Sequence, residues 1–188
     1  MDAFAEEKNA VFVPQKIFMQ RAIELAKKGG GKVHPNPLVG AVIEKDGKII
    51  AEGFHHEYGN LHAERDALKN AMEKKVCVRG ANLYVTLEPC CHTGKQPPCT
   101  QAIIDAGIKN VVIGSRDPNS LVNGKGVLQL ENAGIKVFRD FMKAECDSLN
   151  EIFFYYITTK RPFVIVKYAQ TADGKTSLSS GESKWITN

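Results

Sequence analysis

Asn82-Leu83-Tyr84-Val85-Thr86-Leu87-Glu88-Pro89-Cys90-Cys91-His92-Thr93-Gly94-Lys95-Gln96-Pro97-Pro98-Cys99-Thr100 carries a strand, an irregular loop and the start of a helix in one stretch. Asn82 to Thr86 is a short apolar run with β-favouring side chains. Glu88 to Pro98 is dense in Pro, Cys and Gly, which interrupt regular structure. From about Thr100 to Ala106 the pattern turns helical, and Gly107 stops it. Val111 to Gly114 is again a strand, so the region reads as a strand–helix–strand unit of a layered α/β domain.

Upstream, apolar residues at helical spacing predict a helix over Gln15 to Lys28, ended by Gly29-Gly30-Gly31. Leu38 to Ile43 and Ile49 to Phe54 form a hairpin around Lys45-Asp46-Gly47-Lys48. After the loop His55 to Asn60, a helix runs from about His62 to Met72. Downstream, Lys125 to Asn132 is helical and Lys136 to Phe138 is a strand. One long helix is expected from about Met142 to Tyr156. The sum is an α/β/α domain over residues 14–160 with a mixed sheet of about five strands, preceded by an N-terminal extension, residues 1–13. Residues 161–188 hold one expected strand, Phe163 to Tyr168, and bury no core of their own.

The chain has 188 residues, 43% apolar and 24% charged, the balance of an ordinary globular protein. No apolar run reaches the roughly 18 residues of a membrane span, and the first residues lack a leader pattern, so a cytoplasmic location and no membrane partner are expected. The net charge of +4 is spread along the chain, with Lys27-Lys28 and Lys74-Lys75 at helix ends. That dispersal argues against a nucleic-acid partner and suits a phosphorylated small molecule. Five cysteines in such a chain argue against a disulfide framework. Cys77 and Cys146 are expected as small buried hydrophobes.

Three cysteines fall close together, and His62-Ala63-Glu64 lies one strand before them. A hydrolytic zinc site needs three protein ligands and an open position for water, whose pKa the metal lowers toward neutrality. His62, Cys90 and Cys99 supply such a set, one Zn²⁺ per chain, with Cys91 a neighbouring competitor for Cys90. Glu64 is free to take the water's proton, pass it to a ring nitrogen and protonate departing ammonia. His62 and Glu64 sit in the first turn of one predicted helix and Cys99 starts another, and positive helix N-termini favour these anions. A structural zinc would recruit a fourth ligand, His92 or Cys91, and leave Glu64 without a role.

His-Ala-Glu followed by Pro-Cys and a second Cys resembles the cytidine deaminase superfamily, which implies a cytidine deaminase-like three-layer α/β/α sandwich. The step of nine from Cys90 to Cys99, filled by Cys-His-Thr-Gly-Lys-Gln-Pro-Pro, resembles one branch, the bifunctional riboflavin-biosynthesis deaminase/reductases. His34-Pro-Asn-Pro-Leu-Val-Gly-Ala-Val42, His55, and Asp117-Pro-Asn-Ser-Leu-Val-Asn-Gly-Lys-Gly126 match that branch too, with Ser120 replacing its usual proline.

The resemblance implies hydrolytic removal of the 2-amino group of 2,5-diamino-6-ribosylamino-4(3H)-pyrimidinone 5′-phosphate. Substrate contacts implied by matching positions are Asn36, His55, His92, Lys95, Asp117 and Asn119, with Lys95 at the phosphate or ribose end. The tail resembles the start of the branch's NADPH-dependent reductase domain, with Ala169, Ser183 and Trp185 as contact remnants. That domain would need about 200 further residues, so reductase activity is not expected of the sequence as given. The exposed strand 163–168 could pair with another chain in a homo-oligomer. Two alternatives stay open: a deaminase of cytidine or tRNA adenosine using the same chemistry, and a structural zinc module without catalysis.

Overall fold

Alternation along the central strands builds a core on both faces of one sheet. The structure, a computed structural model, describes residues 11–93, 96–119 and 122–182. Strands β1 (Gly40–Lys45), β2 (Lys48–Phe54), β3 (Asn82–Leu87), β4 (Asn110–Ser115) and β5 (Lys136–Phe138) form a five-stranded sheet in the order β2-β1-β3-β4-β5. β1 is antiparallel to β2 and β3, while β3, β4 and β5 run parallel, so the sheet is mixed.

Ala41, Ile43, Leu83, Val85, Val111 and Ile113 point to one face. There they meet Ala63, Ala67 and Ala71 of α2 (Ala63–Glu73), Ile103 of α3 (Cys99–Asp105), and Val127 and Leu130 of α4 (Lys125–Asn132). Val42, Tyr84 and Val112 point the other way, onto Phe18, Met19 and Ala22 of α1 (Lys16–Lys27) and Cys146 of α5 (Lys143–Ser148). Period-two side chains on each strand thus fill two cores, which makes the three layers. Tyr84 is fully buried, worth about 1.5–3 kcal/mol for a large side chain, and its hydroxyl accepts the Gln15 N–H at 3.1 Å.

One contact seats the helix that matters most for function. A Cβ on Gly53 of β2 would lie 2.5 Å from the Ala63 carbonyl and 2.3 Å from the Ala67 nitrogen. Only glycine lets the start of α2 approach the sheet so closely. Asp66 adds a polar tie, its Oδ2 accepting both the Phe54 N–H and the His56 ring N–H. His56, stacked on Phe54 with ring centroids 3.7 Å apart, therefore helps anchor the end of β2.

Three expectations differ from the structure. The single long C-terminal helix is two, α5 and α6 (Glu151–Thr159), because Asn150 leaves helical geometry to bond Leu38. Its Oδ1 accepts the Leu38 N–H at 2.7 Å and its Nδ2 donates to the Leu38 carbonyl at 2.8 Å, copying a strand neighbour with a side chain. Residues 163–168 form no strand, since no sheet edge of the described chain lies beside them and a strand exists only through a paired backbone. Cys77 is exposed, in the connection between α2 and β3, whereas Cys146 is buried as expected. Phe12, which precedes residue 14, packs edge-on against Tyr84 and Phe138.

Candidate metal centre

The sheet's topology brings the two halves of the motif together. His62 is the N-cap of α2, in extended geometry with its ring turned toward the loop after β3. Cys99 opens α3 and is fully buried. Cys90 lies between them. His62 Nδ1 is 3.5 Å from Cys90 Sγ and 3.4 Å from Cys99 Sγ, and all three donor atoms fall within 4.8 Å of one another. A tetrahedral zinc with Zn–N near 2.0–2.1 Å and Zn–S near 2.3 Å puts its nitrogen and sulfur ligands about 3.5 Å apart. The donor set and its spacing fit Zn²⁺. Among the described residues this is the one cluster of its kind, and Cys91 is outside it.

Backbone and side-chain donors hold the cluster. The first amides of α3 are aimed at Cys90: Cys99 N–H approaches its sulfur at 3.4 Å and Thr100 N–H its carbonyl at 3.1 Å. Arg65, on the first turn of α2, donates to the Pro98 carbonyl at 3.3 Å and ties the two helix starts together. Hydrogen bonds from the Cys99 thiol and then from His62 bring the Cys90 thiol down to about 4, which makes it a thiolate. Cys90 in turn raises His62.

Glu64 is 3% exposed and in hydrogen-bond reach of the Cys99 thiol. Burial first, and the charge on Cys90 second, push its carboxyl up to about 7. A carboxyl poised there both gives and takes a proton near neutral pH. His55, 3% exposed, donates from Nδ1 to the Leu61 carbonyl at 2.9 Å, and its Nε2 lies 3.0 Å from Asn36 Nδ2. Burial lowers the pKa of this imidazole.

A cavity of about 260 Å³ opens onto His62, Glu64 and Cys90. Of the residues expected to contact a ligand, Asn36, His55, His92, Asp117 and Asn119 all line it. Asp117 is 8% exposed, its Oδ1 accepts the Asn119 N–H at 2.8 Å, and burial pushes its carboxyl up to about 6. Lys95 lies outside the described residues, as do Ser183 and Trp185, and Ala169 is exposed far along the tail without regular structure.

Among the lining residues that carried no functional expectation, two bear on how the cavity is built. Phe153 reaches the cavity from α6, more than fifty residues beyond the motif, with no local signal. Glu88, 4% exposed, accepts the Gly124 N–H at 3.2 Å and the Val127 N–H at 3.4 Å. It so joins the metal loop to the N-terminus of α4, and its position directly before Pro-Cys was the available clue.

Comparison with known proteins agrees with this geometry. Residues 14–115 match the model of the cytidine and deoxycytidylate deaminase zinc-binding region. Riboflavin biosynthesis protein RibD of Actinobacillus pleuropneumoniae is 58% identical over 170 residues, covering 90% of this chain and 44% of that protein. The crystal structure of a diaminohydroxyphosphoribosylaminopyrimidine deaminase/5-amino-6-(5-phosphoribosylamino)uracil reductase from Thermotoga maritima superposes with a TM-score of 0.87 at 57% identity. The match covers 92% of this chain and 49% of that one. Aspergillus oryzae Rib2 deaminase in complex with DARIPP gives a TM-score of 0.53 at 28% identity, over 65% of this chain and 81% of that one. The chain spans about half the length of the RibD relatives it matches. No described helix is long and apolar enough to cross a membrane.

Proposed function

We infer the function from one premise, that this chain belongs to the cytidine and deoxycytidylate deaminase zinc-binding family. Within that family we propose hydrolytic deamination of 2,5-diamino-6-ribosylamino-4(3H)-pyrimidinone 5′-phosphate to 5-amino-6-(5-phosphoribosylamino)uracil and ammonia, a step of riboflavin biosynthesis. The observation that carries the reading is the meeting of His62, Cys90 and Cys99 at 3.4–3.5 Å beside a buried Glu64, at the floor of a cavity sized for a small molecule. The length and sequence of the Cys90–Cys99 loop, and the names of the relatives, point to the riboflavin branch.

His62 Nδ1 and the sulfurs of Cys90 and Cys99 hold Zn²⁺ in this reading. The metal, when bound, acidifies water and polarises the reacting group. Glu64 does the proton work. It takes a proton from water as the oxygen adds to C2 and gives one to the adjacent ring nitrogen. It then carries a second proton to the 2-amino group as the C–N bond breaks and ammonia leaves. Atoms balance as water in and ammonia out. Asn36, Asp117, Asn119 and His92 orient the substrate, and Lys95 takes the phosphate or ribose end. A reductase step using NADPH would fall to the part of the relatives that this chain does not span, and the proposed site of action is the cytoplasm.

The test is turnover of the diaminopyrimidine ribosyl phosphate, side by side with cytidine and tRNA, by wild type and Glu64→Gln. The expected result is activity on the first substrate alone, and a variant that keeps one zinc per chain while losing about 10²–10⁴-fold in rate. Wild-type-like turnover by Glu64→Gln would sink the mechanism. Preference for cytidine or tRNA would move the chain to another branch of the family.

A further inference from the structure

His55 and Asn36 both line the cavity, and both were expected to touch a ligand. The structure sets them against each other. The Leu61 carbonyl, 2.9 Å from His55 Nδ1, can only accept, so Nδ1 carries the imidazole's proton. A neutral ring then has a bare lone pair at Nε2, and Asn36 Nδ2 stands 3.0 Å from it. The structure turns Asn36 Nδ2 to this lone pair and leaves Oδ1 for the cavity, whereas the reverse orientation would set Oδ1 against the lone pair of a neutral ring. Both ring nitrogens of His55 are spent on the protein. Its own N–H is held by the backbone just before the metal ligand His62, and its acceptor is filled by Asn36.

We propose that His55 is a positioning residue that acts through Asn36, turning the Asn36 carbonyl oxygen into the acceptor for an N–H donor on the bound ring. Asn36 Oδ1 has no partner among the described residues, and its residue lines the cavity. An aminopyrimidine supplies amino and ring N–H donors for that oxygen. A flipped amide would offer only N–H groups there and would select a carbonyl edge instead. His55 neither donates to the ligand nor relays its protons. The identity of the ring rests on the deaminase reading above, whereas the tautomer and the direction of the amide do not.

Two measurements on the full zinc-loaded chain separate these levels. In ¹⁵N-histidine NMR at neutral pH, the signals absent from His55→Gln should show a protonated Nδ1 and a hydrogen-bonded, unprotonated Nε2. A proton on Nε2 overturns the proposal whatever the enzyme's substrate proves to be. In steady-state kinetics with the diaminopyrimidine ribosyl phosphate, His55→Gln should raise KM about 10–100-fold with kcat within a few-fold of wild type. The double variant with Asn36→Ala should be no worse than Asn36→Ala alone, since both remove one contact. Penalties that multiply would mean that His55 meets the ligand independently, and would refute the proposal. Retained zinc and melting temperature in His55→Gln exclude a folding defect as the cause. Failure of wild type to turn over that substrate counts against the functional reading, and the NMR result still decides the tautomer.

Discussion

Gly126→Ala tests how the metal loop is held. Gly126 is the second residue of α4, where alanine ordinarily stabilises a helix by about 1 kcal/mol over glycine. Here its Cβ would lie 2.2 Å from the Pro89 carbonyl oxygen, whereas ordinary contact begins at 3.4 Å. The chains must separate by about 1 Å, and neither side is free to move. The Glu88 carboxylate pins the start of α4 through Gly124 and Val127, and Pro89 precedes Cys90 directly. Overpacking of this kind costs about 1–3 kcal/mol, and a clash with anchored backbone belongs near the top of that range. Less the propensity gain, the net loss is about 2 kcal/mol, or a melting temperature lower by about 4–8 °C for a chain of this size. Displacing the residue before the proposed metal ligand Cys90 should also weaken zinc binding about 10–100-fold, the usual scale for groups that support a ligand. The assays are thermal unfolding and zinc retention against a competing chelator. Gly134→Ala is the control: that residue has φ of +82° and open space around it, so it should lose about 1 kcal/mol with zinc affinity unchanged. A Gly126→Ala protein that melts at or above wild type with normal zinc affinity would refute the reasoning.

Two other substitutions address the ligands and the cavity's charge. Cys91→Ser should retain one zinc per chain by elemental analysis while Cys90→Ser and Cys99→Ser lose it, and equal loss in all three would reopen the choice of sulfur. Asp117 has its folded pKa raised from 3.8 to about 6, so ionising it disfavours the folded state. That cost is absent below about pH 4, grows between the two values and is complete above pH 6, where it amounts to about 3 kcal/mol. Asp117→Asn keeps an acceptor for the Asn119 N–H and should stabilise the protein at pH 7.5 but not at pH 4, and equal melting shifts at both pH values would contradict the cause assigned here.

What could be read from the chain was chemistry that depends on residue type and local spacing. The meeting of His62, Cys90 and Cys99 was legible because a metal accepts few side chains and because His62 and Cys99 sit where helices start. The five strands were legible because Val42, Tyr84 and Val112 alternate with inward partners of the opposite face. What was hidden depends on partners far away. The helix break at Asn150 is made by Leu38, 112 residues earlier, and no local pattern announces it. Residues 163–168 look like a strand in composition, but composition does not supply a neighbouring edge. Cys77 shows the same limit, since a cysteine's burial follows from where the fold places its segment and not from its type.

Glu88 links these two kinds of information. It lies in the stretch that identifies the fold, yet its role depends on α4, which begins some 36 residues later. Its carboxyl accepts two backbone amides, and its proximity adds to the burial that raises Asp117. Glu64, Glu88 and Asp117 thus give the cavity three carboxyl groups. A phosphate dianion is repelled by such a wall, whereas a ring bearing amino groups is not. For the proposed substrate, charge alone therefore favours entry with the ring toward Glu64 and the phosphate held outward. In that orientation the donor-rich ring meets the Asn36 oxygen that His55 has turned to receive it.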